Sequence, residues 1–544
     1  MKRLVALMLC VIVTLVFVSC GDTVSGHSST TQSESITSAV SSDDSSNSST
    51  SSDCVSSVDE RYVDMVAREK TILKNMNFGK VFYRAAQATD VYLIDITKED
   101  VDTVATLRSL QGLVARHFGG AIYLDDGSNA SKFWIEYCSS EYGLYFEKST
   151  PAQVIKRFSK YIKGAVLYSP DIPYEFTVAQ NTAIQSDYLV ATGLSVSLVN
   201  PALTNKPLID IRGQFKDKKT AYKYIIENCL NTSSTQYIGI LNQNAAFSDY
   251  VYSVKSLVLD FDFSESWESE MLSYIIGRPD WNETAYVFTD RAISNALLNV
   301  LSADGFATIN TGSFANCTLF SSVTASYNGR TIKHDIKTLN ENKIYVSMFL
   351  NVESMSDIQQ KAYNVWNHKT AACRISVEFY PIMYELAPPI AKWYRQNLTA
   401  NDMLISADLG CGMANLSLMD PETAKLFRNN NEYFLNSCGI SVISNGMNLN
   451  TVDDFNAQLD GMDVVNTENT ITASMRFTDL ESFETWLNSA TPVANAPMYF
   501  LIELPSSNFE ADGLNELGTV ISTAKEKRKG VFEFVLTENL LQYM

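Results

Sequence analysis

The chain has 544 residues, 46% of them hydrophobic and 19% charged, which is enough apolar material for sizeable cores and enough length for roughly two to four domains. Asp and Glu number 61 against 42 Lys and Arg, a net charge of −19 that repels nucleic-acid phosphates and argues against nucleic acid as a partner. The four histidines (His27, His117, His334 and His368) are too few and too scattered for His-rich zinc sites or for Ser-His and Cys-His catalysis. No metal or cofactor is expected; a carboxylate-held Ca²⁺ is the one cation this composition leaves room for.

Lys2 and Arg3 precede an apolar run, Leu4 to Val18, that is short for a membrane-spanning helix. It ends in Phe17-Val18-Ser19-Cys20-Gly21, which resembles a bacterial lipobox. The resemblance implies residues 1–20 as a lipoprotein signal, a lipid on Cys20 and an extracytoplasmic protein held to a membrane by its acyl chains. Residues 21–57 are dominated by Ser and Thr and are expected to form a disordered tether. Beyond the tether, Cys138, Cys229, Cys317, Cys373, Cys411 and Cys438 are widely spaced without a CxxC pair, so buried thiols are expected, with room for one disulfide.

From Val91 the chain alternates strand and helix patterns. Val91–Asp95, Ala121–Leu124, Gly164–Tyr168 and Leu194–Leu198 read as strands. Asp102–His117 and Thr177–Leu189 read as helices. The alternation predicts a parallel α/β domain over residues 58–250. Further strands are expected at Ala285–Thr289, Ile344–Leu350, Arg374–Phe379, Met403–Ala407, Ile440–Ser444, Ile471–Met475, Tyr499–Leu504 and Val531–Val535. Eight strands over residues 251–544 suit a (β/α) barrel-like domain, with a doubly wound sheet as the alternative.

In a barrel, active groups follow the strands. The strand ends supply Asp290, Asn351, Glu353, Glu378, Tyr380, Asp408, Asn445 and Glu503, a set rich in carboxylates. Paired carboxylates, one protonated and one ionised, are what glycoside hydrolysis uses. Each of these acids could instead be a solvated or helix-capping group. Trp134, Trp281, Trp366, Trp393 and Tyr380 are candidate platforms for sugar rings; Trp281 and Tyr380 stand out because they lie near strand ends, whereas Trp366 and Trp393 lie in helical stretches and read rather as packing residues.

Ser109-Leu110-Gln111-Gly112-Leu113-Val114-Ala115-Arg116, then Ile122-Tyr123-Leu124 and Gly164–Tyr168, resemble the N-terminal domain of the GxGYxYP family, to which glycoside hydrolysis is ascribed. Tyr380-Pro381, Leu386-Ala387-Pro388-Pro389 and Thr399-Ala400-Asn401-Asp402 resemble the segment before that family's naming motif. The motif itself would be Gly410-Cys411-Gly412-Met413-Ala414-Asn415-Leu416, which keeps both glycines but neither tyrosine nor the proline. The family's Asp-x-Asp would fall on Asn351-Val352-Glu353, where one acid has become an amide. Asp357 just beyond reads as a first-turn helix acid.

The resemblance implies a surface protein acting on poly- or oligosaccharide, with Glu353 and Asp408 as working carboxylates and Glu378 and Glu503 in reserve. Asn351, Gly410, Gly412, Asn415, Tyr380 and Trp281 would contact sugar. The Gly410–Gly412 turn could expose amides to a hydroxyl or could be a purely steric turn. Two other readings remain open: a binding relative without catalysis, and an adhesive envelope protein without a sugar site.

Overall fold

The computed structural model describes residues 73–326, 340, 342–362, 373–444, 463–465, 473–505 and 513–543. The expected signal, Cys20, the tether, Asn445 and Trp366 lie outside the described residues. A hairpin of β1 (Asn77–Phe78) and β2 (Tyr83–Arg84) comes first. Its turn is pinned by the buried Glu385, which accepts the amides of Lys80 (2.7 Å), Val81 (3.1 Å) and Phe82 (2.8 Å) and the Tyr433 hydroxyl (3.1 Å).

Three units of one plan follow. β3 (Asp90–Asp95) pairs in parallel with β4 (Ile122–Asp125) and β5 (Tyr145–Lys148). β6 (Gly164–Leu167) lies between β7 (Tyr188–Ala191) and β8 (Leu208–Asp210). β9 (Tyr237–Ile240) lies between β10 (Leu257–Leu259) and β11 (Ala285–Thr289), and β12 (Phe306–Asn310) extends that sheet past β11. In each unit the first strand is central, so the chain steps to one side and then crosses back to the other.

The run Leu110–Arg116 turns out to be a packing device. It belongs to the helix Val101–His117, which starts on an Asp100 side chain accepting the Thr103 amide. A Cβ on Gly112 would stand 2.3 Å from the Tyr252 Cβ, so glycine lets this helix touch Ser248–Ser253. Gln111 donates to the Ile122 carbonyl and to Asn316 Oδ1. Arg116 is fully buried; its guanidinium lies 3.2 Å from Asp187 and donates to the Ile184 and Tyr252 carbonyls. His117 (3.1 Å) and Lys163 (2.6 Å) share the same carboxylate.

Asp187 also corrects the sequence reading. It adopts a left-handed conformation (φ 59°) and ends the helix Pro173–Ser186, so the chain enters β7 at Tyr188. The expected helix to Leu189 overran the strand, and Leu194–Leu198 is no strand; its Val196–Val199 is a helical turn. A non-glycine residue in this conformation is uncommon, and three basic partners, Arg116, His117 and Lys163, explain why an acid stands there.

The second half is one parallel eight-stranded sheet that curls into half a barrel. Its strands are β13 (Ile344–Asn351), β14 (Ile375–Phe379), β15 (Asp402–Ser406), β16 (Val442–Ser444), β17 (Asp463–Val465), β18 (Ala473–Arg476), β19 (Met498–Pro505) and β20 (Phe532–Val535). The order is β17-β16-β15-β14-β13-β19-β18, with β20 also paired to β13. Every strand expected after residue 300 is in this sheet, and β17 is an addition. Ala285–Thr289 is not: it is β11, in the other sheet. The boundary expected at residue 250 falls inside the helix Ser248–Ser253, between the paired strands β9 and β10. One apolar core runs from Val178 through Ile238 and Val287 to Phe379 and Phe500, so that boundary does not separate two cores.

Trp486 packs on Phe500 and Phe532 and places the connecting helices on the outer face of the half-barrel. The inner face holds Phe349, Ile405, Leu501 and Val535, covered by Leu536 and by Leu540 of the last helix, Thr537–Tyr543, which Leu536 leads into. Where β20 gives way to β14 alongside β13, the Thr537 hydroxyl bonds Ser347 (3.0 Å) and Ser376 (2.7 Å). All six cysteines beyond the tether are buried and free.

Removing one member of a buried ion pair leaves the other charge uncompensated. Asp187→Ala is therefore expected to lower the unfolding free energy by about 3–5 kcal/mol, read from a denaturant titration. An unchanged midpoint would show that Arg116 does not depend on this carboxylate.

Candidate functional site

Doubly wound sheets bind ligands beyond the strand C-termini, where the strand order reverses. In two of the three small units the protein's own carboxylate fills that crevice. Between β6 and β8 the fully buried Glu175 accepts the Ser169 amide (2.9 Å) and the Gly213 amide (2.7 Å). Between β9 and β11, Asp290 accepts the Asn242 amide (2.9 Å), and Arg291 pairs with both Asp290 and Asp260. Asp290, a candidate acid from its position after a strand, is thus a closing group.

The C-terminal rim of the half-barrel is built differently. Strand alternation and register put Asn351, Glu378, Arg476 and Glu503 on the inner face, on the same side as Phe349 and Ile405. Arg476 lies between two acids, its Nε 3.5 Å from Glu503 and its Nη2 3.8 Å from Glu353. The two carboxylates differ in surroundings. The Glu353 side chain is 73% exposed and that of Glu503 23%. Burial raises the Glu503 carboxyl above its ordinary value; Arg476 opposes this and the Glu353 charge adds to it.

Glu353 is held by its backbone rather than its side chain. Its carbonyl accepts from the Tyr380 hydroxyl (3.1 Å) and from Asn310 Nδ2 (2.8 Å) at the end of β12. Its amide donates to Asp357 (2.9 Å), which also closes a capping box with Ser354, as a first-turn acid should. Glu378 accepts the Val352 amide (3.0 Å). Tyr380 is buried among Asp408, Glu378 and Asp357; burial first, then those charges, push its phenol well above its ordinary value, so it remains a neutral donor. Asp408 has an Oδ2 sealed from solvent without a hydrogen-bond partner, although the residue as a whole is partly exposed. Burial pushes its carboxyl up to about 6, and the Tyr380 hydroxyl offsets part of the rise. Glu353, Glu378, Asp408 and Glu503 are therefore gathered around Tyr380 and Arg476. No cluster of three or more His, Cys, Asp or Glu suited to a metal occurs among the described residues.

Other expected site residues are used elsewhere. Gly412 and Asn415 belong to a loop that forms a seam to the four-stranded sheet, and the amides of Gly410 and Asn415 are taken within the protein. Met413 exchanges backbone hydrogen bonds with Thr308 of β12 (2.7 and 2.8 Å). The Cys411 amide is taken by Asn431 (2.7 Å), the Gly410 amide by the Ala407 carbonyl (3.2 Å) and the Asn415 amide by Ser302 (2.9 Å). Gly412 has φ 122°, and a Cβ there would lie 3.0 Å from the Thr308 carbonyl oxygen, so the glycine is steric. Cys411 is fully buried, which raises its thiol and removes it as a nucleophile. Trp281 precedes β11, at the opposite end of the strands from the rim; its indole donates to the Ile275 carbonyl and its ring packs on Phe306. Trp134 and Trp393 pack on each other in the core.

Arg476 was missed by the sequence reading. It ends an expected strand, but the strand-end set read from the sequence holds acids, amides and a tyrosine and no cation. Asn310 closes a strand, β12, for which no pattern was seen.

Residues 90–160 match the family described as GxGYxYP_N 1st domain, a stretch that includes the Leu110–Arg116 run. The fold is similar to a solved structure described as "a putative hydrolase from Bacteroides thetaiotaomicron VPI-5482", with a TM-score of 0.71 at 15% identity, covering 86% of this chain and 96% of that one. No curated protein matches.

Two outcomes follow from this geometry. Gly412→Ala is expected to cost about 1–3 kcal/mol of stability through backbone strain and the Thr308 contact, while activity per folded molecule is kept. Calorimetry beside a turnover assay separates the two, and lost turnover at full folding would return the loop to the site. For Asp408, a folded value near 6 lies above the ordinary carboxylate value, so the folded chain binds the extra proton. Stability should then fall as pH rises from about 4 to about 6, and Asp408→Asn should shrink that fall. The buried Asp249, also pushed up to about 6 by burial, contributes a share that survives the substitution.

Proposed function

We propose that this protein is a glycoside hydrolase whose reaction takes place at the inner rim of the half-barrel. The observation that carries the reading is one guanidinium set between two carboxylates of unequal exposure, Glu353 and Glu503. Glu503, raised by burial, is suited to hold a proton and give it to the leaving glycosidic oxygen. Glu353, solvated and facing Arg476, is suited to stay ionised and either attack the anomeric carbon or activate water. Tyr380 fixes the backbone of Glu353 and so positions the exposed acid. Asp408 and Glu378 lie on the buried side of the same cluster and are held in reserve. The GxGYxYP match over residues 90–160 supports the class of reaction, as does the hydrolase description carried by the structural neighbour.

A lipid on Cys20 would hold the enzyme outside the cytoplasm, with the Ser/Thr segment giving reach toward an insoluble glycan. A second reading, binding without catalysis, is favoured by Asn351, which puts an amide where the family keeps an acid.

The test uses the full chain on a panel of neutral polysaccharides, with new reducing ends as the readout. Glu503→Gln and Glu353→Gln should each cut release by about 100-fold or more. Release should have an acidic optimum, declining as pH rises through the raised Glu503 value, and Glu503→Gln should abolish that alkaline limb. Release that survives both substitutions would move the chemistry to another site. No release on any glycan, with the same glycans cosedimenting with the protein, would leave the binding reading.

A further inference from the structure

One face of this acidic protein is basic. No Asp or Glu occurs between Glu147 and Asp171, whereas Lys148, Lys156, Arg157, Lys160 and Lys163 do. The last four lie at the end of the helix Pro151–Arg157, in the turn Ser159–Tyr161 and in the loop that leads into β6, and all four are exposed. Beside them stands an aromatic group at the end of the helix Val101–His117. His117 stacks on Tyr161 (5.8 Å between centroids), and Phe118 packs against Phe158 (5.5 Å) and Tyr161 (6.4 Å). Lys160 lies over the Tyr161 ring (4.6 Å). Phe158 is buried, but Phe118 is 49% exposed, a large apolar ring left in water beside cations.

The positive charge here is not spent within the protein. Arg116 alone balances Asp187, and Lys163, whose side chain is 66% exposed, reaches the same carboxylate from outside. Lys255 donates to the Gln185 carbonyl (3.0 Å). Burial first, and then repulsion from Arg116 and Lys163 against the pull of Asp187, bring its ammonium down to about 8. Arg157 stacks on Tyr92 (4.7 Å), near Asp90 and Glu147, and is partly offset by them. Lys156 and Lys160 form no ion pair among the described residues.

This face lies at the N-terminal ends of the strands. Phe118 comes just before β4, Lys163 before β6 and Lys255 before β10. The rim that carries Glu353 meets the C-terminal end of β12 through Asn310, and β10 and β12 run parallel in one sheet. Basic face and rim are therefore at opposite ends of that sheet.

We propose that this face docks on the anionic headgroup surface of a lipid bilayer, with Phe118 entering the headgroup region and Lys156, Lys160 and Lys163 meeting phosphates. The inference is independent of the hydrolase reading, and a lipid on Cys20 would keep a bilayer within reach. Each lysine near an anionic membrane is favourable, and the phenyl ring gains apolar burial that a soluble polyanion does not supply. The net charge of −19 does not forbid the contact, because charges farther away than about 8 Å are screened at physiological salt. Docked this way, the protein turns its rim away from the lipid.

The test mixes the full chain with phosphatidylcholine vesicles, with and without phosphatidylglycerol. The ratio of the two partition coefficients cancels any contribution from the apolar run Leu4 to Val18. The anionic vesicles should be preferred, and Lys156→Gln combined with Lys160→Gln should cut that preference about 30-fold while the melting temperature stays unchanged. In Phe118→Trp, the emission added over the parent should shift to shorter wavelength and be quenched by brominated lipid on anionic vesicles only, and high salt should abolish the effect. Equal partitioning of the parent into both vesicles, or an added indole that stays unquenched, would overturn the proposal. So would soluble polyphosphate that binds through the two lysines while the anionic vesicles do not, which would assign the face to a polymer instead.

Discussion

The backbone pair between Thr308 and Met413 is the constraint on which the candidate site depends. It joins the edge strand of the four-stranded sheet to the loop that leaves β15 of the half-barrel. Two parallel sheets joined this way present their strand C-termini to a shared region. Asn310, at the end of β12, can then reach the carbonyl of Glu353 after β13. Without the seam, Glu353 would lose one of the two donors that fix its backbone. Gly412 serves that approach, since it takes positive φ and a Cβ there would crowd the Thr308 carbonyl, while Gly410, also at positive φ, lies against Asn431 and Leu435.

A second theme is how this acidic chain uses its carboxylates. Glu385, Glu175 and Asp290 accept backbone amides that would otherwise lie unpaired in turns and crevices. Asp187 gathers cations at helix C-termini, where positive charge is favoured in any case. Each is consumed by the fold. Glu353 and Glu503 differ because their partner is a single, half-exposed arginine at a rim rather than a set of buried amides. Surface ion pairs of that kind are weak and can be exchanged for a ligand. The division between structural and available acids therefore follows burial and donor type.

The half-barrel is open between β17 and β18, yet its inner face is not hollow. Leu536 and, from the last helix, Leu540 supply apolar cover there. The hydroxyls of Ser347, Ser376 and Thr537 satisfy one another where β13 changes its partner from β20 to β14. Polar groups at such a fork would be costly if left unpaired, and a threonine between two serines resolves the change of pairing. Among the described residues the lower inner face is filled, which leaves the C-terminal rim of the half-barrel open to a ligand.

The sequence by itself determined the strand–helix alternation, the parallel class and nearly every strand of the half-barrel, because apolar periodicity is a local property. It also placed four acids at strand ends that the fold then gathered. It missed β1, β2, β5, β7, β8, β9, β10, β12 and β17, and it ran one helix past Asp187, since an aspartate held in a left-handed turn by distant cations carries no local signal. Whether a strand-end acid closes a crevice, caps a helix or faces a rim was decided by tertiary structure alone. Asp290 and Glu503 look alike in one dimension; the first meets the amide of Asn242 and the second meets Arg476, and those partners come from other strands. Register and sheet order, which bring residues far apart in the chain to one edge, arise from packing across the whole core and cannot be read from any single segment.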